Sequence, residues 1–238
     1  MSNTNTITAQ QDPKVGLVVF DMAGTTVEDT GLVQQSFIAA DEHAGLSKTA
    51  ADREEMLRYV AETMGQSKIV VFRHLSRGNE EQAQAANKAF EHCYAQLVAE
   101  GHCSPIPRAE DVITSLRARG IKTALTTGFA KETQTAIINA LGWSDLADVV
   151  LCPEPGMRGR PYPDMPLVAL MRTDTVSVRS MIVVGDTSSD VVSGLRAGAR
   201  ASVGVLTGAH GTEQLSAAGA THILDSVADL PALVAALG

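Results

Sequence analysis

The sequence predicts an α/β fold: a Rossmann-like parallel sheet core with an inserted helical cap domain. Short apolar runs rich in β-branched residues alternate with segments of helical periodicity along most of the chain, the pattern of parallel strands joined by helical crossovers. One long stretch, 31–101, has helical periodicity and no strand-like run. A chain of 238 residues is also long enough to bury a large core and carry a smaller inserted domain.

The elements follow in order. Residues 1–14, MSNTNTITAQQDPK, are polar and lack an apolar h-region, so they read as a disordered lead-in. The first strand is VGLVVF (15–20), ending in Asp21. The insert then runs through FIAADEHAGL, DREEMLRYVAETMG, KIVVFRHL and EEQAQAANKAFEHCYAQLVAE, all of helical period. The strands expected after it are IKTALTT (121–127), DVVLC (148–152), SMIVVG (180–185), ASVGVL (201–206) and THIL (221–224). Helices are expected over Lys131 to Leu141, Pro163 to Arg172, Ser189 to Ala197 and Val227 to Leu237. The core is therefore 15–30 with 102–238 and the cap is 31–101. The chain contains no internal repeat and no low-complexity segment.

A net charge of −8 and a pI near 5.2 argue against a general nucleic-acid or anionic-membrane binder. No run approaches the ~20 apolar residues of a membrane span. Cys93, Cys103 and Cys152 form neither a C-x-x-C pair nor a disulfide framework, which suits a reducing, cytoplasmic setting. The six histidines show no metal-ligand spacing.

In open α/β sheets ligands bind at the carboxyl ends of strands. The first run ends in Asp21, the second in Thr126 and Thr127, and the fourth in GDTSSD with Asp186 and Asp190. The loop RGRPYPD adds Arg158 and Arg160. A lone strand-end Asp reads as a helix cap, but several matched polar strand ends read as a site. Asp21 and Asp186 offer hard oxygens to Mg²⁺, and the backbone carbonyl of Ala23 is a further ligand candidate. Thr126 can donate to a phosphoryl oxygen and Arg160 can neutralise developing charge. An aspartyl-phosphate on Asp21 is the natural intermediate, and the partner is a small phosphonate or phosphate anion.

The motifs VVFDMAGTT, ALTTG, GRP and VVGDTSSD, in that order, resemble those of the haloacid dehalogenase superfamily over essentially the whole core. DMAGTT, Arg160 in GRPYPD, and MGQSK (64–68) resemble its phosphonatase-like branch. The resemblance implies Asp21 as nucleophile and Mg²⁺ ligand, Asp186 as a second ligand, and Asp190 as a further ligand or an orienter of the others. It implies that Thr126 and Arg160 hold the phosphoryl group, supported by Gly24, Thr25, Thr127 and Gly128. Met64 and Gly65 would face the substrate, and Lys68 would form a Schiff base with its carbonyl, that of phosphonoacetaldehyde or a relative. A homodimer paired through the caps is implied as well. Two positions depart from the branch: Val71 stands where its members carry His, and Phe129 where they carry Tyr.

Ala23 occupies the place where a superfamily phosphatase carries the acid that protonates the departing alkoxide, a contribution of ~10²- to 10⁴-fold. Breaking a C–P bond instead leaves an electron pair on carbon, which an iminium on Lys68 can accept without that acid. The competing readings are a phosphate monoester hydrolase, resembling phosphoglycolate phosphatase, in which Lys68 only attracts phosphate, and a phosphate binder that kept the fold. Glu28 and Asp29 read either as acids displaced from position 23 or as charges complementing the first helix.

Overall fold

The computed structural model describes residues 13–238. Of the lead-in expected over 1–14, only Pro13 and Lys14 fall within the described residues; the Pro13 carbonyl accepts a hydrogen bond from Arg200 Nη1 at 2.7 Å.

Six strands form one sheet: β1 (Leu17–Asp21), β2 (Lys122–Thr126), β3 (Val149–Leu151), β4 (Met181–Gly185), β5 (Ala201–Val205) and β6 (His222–Leu224). Their order is β3-β2-β1-β4-β5-β6, and every pairing is parallel. Successive side chains leave opposite faces of a strand, and the two faces feed two apolar layers. Leu17, Val19, Met181 and Val183 pack on one side. Val18, Phe20, Ile182 and Val184 pack on the other, in a core that continues into Phe37, Phe72 and Phe90 of the inserted helices. Both faces are thus covered, as an all-parallel sheet requires.

The chain leaves β1 toward β2 in one direction and reaches β4 in the other, so strand order reverses at β1. That is where an open α/β sheet forms a crevice beyond its carboxyl ends. The register sets Asp21 beside Thr126 and Phe20 beside Val184, which brings three polar strand ends to one edge.

Between β1 and α5 lie four helices: α1 (Leu32–Ala44), α2 (Ala50–Glu62), α3 (Lys68–Leu75) and α4 (Glu80–Ala99). Thr49 and Asp52 form a capping box at the start of α2, and Asn79 caps α4 by accepting from the Gln82 amide. Each satisfies amides that the first turn leaves without helical partners. The outgoing and returning crossings are hydrogen-bonded together, Ile106 N to Thr26 O and Glu28 N to Ser104 O, both at 2.9 Å. Gly31 (φ 90°) and Gly101 (φ 86°) flank them in the left-handed region, which suits glycine.

The remaining helices are α5 (Ala109–Ala118), α6 (Lys131–Leu141), α7 (Asp164–Arg172), α8 (Ser188–Arg196), α9 (Thr212–Ala217) and α10 (Leu230–Leu237). α5 and α9 were not among the helices expected. α9 has only six residues, too few to show a period. α10 begins at Leu230 rather than 227, because a 3₁₀ turn over Val227–Asp229 precedes it and Pro231 favours the first helical turn. Among the described residues no helix is long and apolar enough to cross a membrane.

Candidate active site

Asp21 closes β1, Asp186 follows β4, and Asp190 lies in the first turn of α8. All three are buried, and each offers a carboxylate oxygen within 4.8 Å of the other two. The local sequence explains their placement. Asp186 is embraced by backbone and hydroxyl donors: its Oδ2 accepts from Ala209 N at 2.8 Å and its Oδ1 from Thr25 Oγ1 at 3.0 Å. Asp190 is the acidic partner in the capping box of α8, accepting from the Thr187 amide and hydroxyl. Gly24 and Gly208 make this packing feasible, since a Cβ on either would lie 2.5 Å or less from Asp186 Oδ2.

Arg160 ties the carboxylates together. Its Nη1 lies 2.6 Å from Asp21 Oδ1 and 2.8 Å from Asp190 Oδ1, and its Nη2 donates to Thr126 Oγ1 at 2.8 Å. Thr126 Oγ1 in turn donates to Phe20 O at 3.1 Å. In this arrangement the Thr126 hydroxyl braces Arg160 and the Thr25 hydroxyl is turned to Asp186. Arg158 points elsewhere and pairs with Asp164 at 2.8 Å on the surface.

One guanidinium does not neutralise three carboxylates. Burial, then the charges of Asp190 and Asp186, holds the Asp21 carboxyl well above the usual carboxylate range despite Arg160. Burial, then Asp190, pushes Asp186 up to about 6, against the Ala209 amide and the Thr25 hydroxyl. A buried cluster of hard oxygen donors with unbalanced negative charge fits a small divalent cation.

Lys68 opens α3 and is also buried, 5% exposed. Its Nζ lies 5.8 Å from the ring centres of Phe37 and Phe90 and 5.1 Å from that of Phe129. Ring faces attract an ammonium, yet burial dominates. It lowers the Lys68 pKa, Arg160 adding to the effect while Asp29, Glu91 and Asp21 oppose it. Val71 packs in the apolar core one turn along α3, 2% exposed.

Lys68 and Asp21 border one cavity of about 30 Å³, together with Ala23, Asp29, Arg160 and Asp186, enough for a water or two. Met64, Gly65, Thr127 and Gly128 also face it. Gly24, Thr25, Thr126 and Asp190 stand behind this lining. The loop that carries Lys68 sits tightly on the sheet's loops: a Cβ at Gly128 would be 2.6 Å from Gln66 O, and one at Gly65 would be 2.3 Å from Thr187 Oγ1. His210 joins the two parts, its Nδ1 accepting from Ser188 N at 2.9 Å and its Nε2 3.2 Å from Ala61 O.

Sequence reasoning did not name Ala209 or Thr187, and it read His210 as structural or exposed, in keeping with the bridge it forms here. Ala209 acts through a backbone amide, which leaves no side-chain signature. Thr187, three residues before Asp190, carried a legible capping signal.

A family model of haloacid dehalogenase-like hydrolases matches residues 15–198. The chain is 32% identical over 208 residues to phosphonoacetaldehyde hydrolase of Bacillus cereus, covering 82% of this chain and 77% of the relative. Among solved structures, a phosphonoacetaldehyde hydrolase-like protein from Oleispira antarctica superposes with a TM-score of 0.81 at 25% identity, covering 100% of this chain and 96% of that one. A hydrolase from Pseudomonas syringae shares the fold at 20% identity, with a TM-score of 0.80 and coverage of 93% and 98%.

Proposed function

The chain belongs to the haloacid dehalogenase-like hydrolase family, and from that premise we propose that it cleaves the C–P bond of a small carbonyl-bearing phosphonate, phosphonoacetaldehyde or a relative, with Mg²⁺ as cofactor and residues 31–101 as cap. The observation that carries this reading is the pairing of Lys68 with Asp21 across one small cavity in which position 23 is alanine. A dehydrated amine suits imine formation, and Ala23 cannot protonate an alkoxide.

The chain's own residues have these tasks. Asp21 attacks phosphorus and carries the phosphoryl group as an acyl phosphate. Lys68 condenses with the substrate carbonyl, so that the electron pair of the breaking C–P bond is taken up as an enamine. Arg160 positions Asp21 and faces the developing negative charge. The three phenylalanines around Lys68 exclude water from the amine. Asp21, Asp186, Asp190 and the Ala23 carbonyl would hold the metal, which when bound offsets the repulsion between anionic nucleophile and anionic substrate. The name of the Bacillus cereus relative supports the substrate class.

One observation favours a phosphate monoesterase instead: Val71 and Phe129 are both buried and apolar, leaving Lys68 without the polar neighbours that the phosphonatase branch carries. The test is an assay of purified protein with Mg²⁺ against a panel of phosphonates and phosphate monoesters. Inorganic phosphate released from a carbonyl phosphonate, with a borohydride-trapped adduct on Lys68, is expected. Turnover of phosphate monoesters alone, with no adduct, overturns the proposal.

A further inference from the structure

Cleaving a C–P bond through an enamine creates a second requirement, because the carbon that leaves phosphorus must gain a proton. Neither Val71 nor Phe129 can supply one, and Ala23 carries no acid. Two carboxyl groups follow the first strand closely enough to be considered, and the structure separates them. Glu28 is turned away, its Oε2 accepting from Ser104 Oγ at 2.8 Å. Asp29 is half-buried and lines the same small cavity as Asp21 and Lys68. It is held there by the start of α1, its Oδ1 accepting from Val33 N at 3.3 Å. Among the charges acting on Lys68 it is the strongest one favouring the ammonium.

We propose that Asp29 is the proton donor to the substrate-derived carbon. This inference rests on the Schiff-base reading of Lys68. After the C–P bond breaks, the phosphoryl group is on Asp21 and the carbon fragment is an enamine on Lys68. The Asp29 O–H bond breaks as the new C–H bond forms, the enamine π pair makes that bond, and the nitrogen lone pair restores the iminium. One water then hydrolyses the iminium to aldehyde and amine. A second water cleaves the acyl phosphate and returns a proton to Asp29. Imine formation on Lys68 releases one water and these two hydrolyses use two, so over a turnover one water is consumed, its hydroxyl ending on phosphorus and its hydrogen on carbon.

The proton step can be read without phosphorus. Acetaldehyde, the fragment a two-carbon aldehyde phosphonate would release, should form the same imine and enamine on Lys68. In deuterated water, the wild-type protein should exchange the methyl hydrogens of acetaldehyde, followed by proton NMR, and borohydride should trap the imine. Asp29→Asn keeps an oxygen to cap α1 but carries no transferable proton. It should trap acetaldehyde to the wild-type extent while exchange falls about a hundredfold or more. Glu28→Gln should exchange like wild type.

Equal exchange by wild type and Asp29→Asn overturns the role of Asp29 and leaves the Schiff base standing. Loss of trapping together with exchange in Asp29→Asn also overturns it, because Asp29 would then be positioning Lys68. If the wild type neither traps nor exchanges, the Schiff-base reading falls and this inference with it.

Discussion

Arg160 Nη1 lies 2.6 Å from Asp21 Oδ1, both groups buried. The guanidinium favours the ionised carboxylate, yet burial and the neighbouring Asp190 and Asp186 outweigh it and hold the Asp21 carboxyl above its usual range. The fold thus holds the Asp21 carboxyl, the proposed nucleophile, in a state that costs stability, which a bound cation would relieve.

Asp21→Asn should accordingly separate stability from activity. A neutral amide of the same shape removes one of three crowded carboxylates, while Arg160 keeps Asp190 at 2.8 Å. Turnover should disappear, and the melting temperature at pH 7 without metal should equal or exceed that of the wild type. Calorimetry with a Mg²⁺-replete assay checks both, and substantial residual turnover would sink the nucleophile assignment.

The pH dependence of metal-free stability follows from Asp186. Its carboxyl rises from 3.8 to about 6 on folding, so between those values the native state binds more protons than the unfolded one. Unfolding free energy must then fall as pH rises across that window, by roughly 3 kcal/mol for a shift of this size in an isolated group. Asp21 is shifted in the same direction. In EDTA the protein should melt at a lower temperature at pH 7 than at pH 5, and Mg²⁺ should stabilise it far more at pH 7. Equal stabilisation at both pH values would contradict a metal site built on these carboxylates. EDTA should also abolish turnover and Mg²⁺ restore it.

The sheet and much of the site were legible because strands announce themselves locally. The apolar runs before Asp21, Thr126 and Asp186 end in polar residues, and parallel order brings those ends together. What sequence could not convey was long-range or carried by the backbone. Phe37, Phe90 and Phe129 come from three distant helices and loops to enclose Lys68, and no spacing rule links them. The Ala209 amide on Asp186 depends on loop geometry alone. Asp29 was ambiguous because one carboxyl both caps a helix and faces the cavity, and in sequence those tasks look alike.

Closure of the inserted helices over the sheet should depend on Gly128. A cavity of about 30 Å³ admits no substrate of three or more heavy atoms plus phosphoryl oxygens, so the loop carrying Lys68 must part from the sheet and return. On return it meets Gly128, where a Cβ would press on Gln66 O at 2.6 Å. Gly128 is not held at positive φ, so Gly128→Ala tests the contact without backbone strain. kcat/KM should fall tenfold or more and the melting temperature should fall as well, because the Gln66 carbonyl is backbone and yields only if the loop shifts. Wild-type kinetics would show that this close approach is not used in turnover.

The last prediction concerns the charge state of Lys68. Attracting phosphate needs only a cation, whereas forming an imine needs a neutral amine. Burial lowers the Lys68 pKa from its ordinary 10.5, so the reactive form gains population toward neutral pH. The rate of borohydride trapping with an aldehyde should therefore rise with pH and level off below 10.5. Arginine stays protonated and cannot condense with a carbonyl. Lys68→Arg should lose both trapping and C–P cleavage, and Lys68→Met, which fits an apolar surround of Phe37, Phe90 and Phe129, should lose them too while keeping the fold. Under the monoesterase reading, Lys68→Arg would retain appreciable turnover and Lys68→Met would not. Retention of phosphonate cleavage by the arginine variant would remove the imine from the mechanism and leave Ala23 without a chemical counterpart.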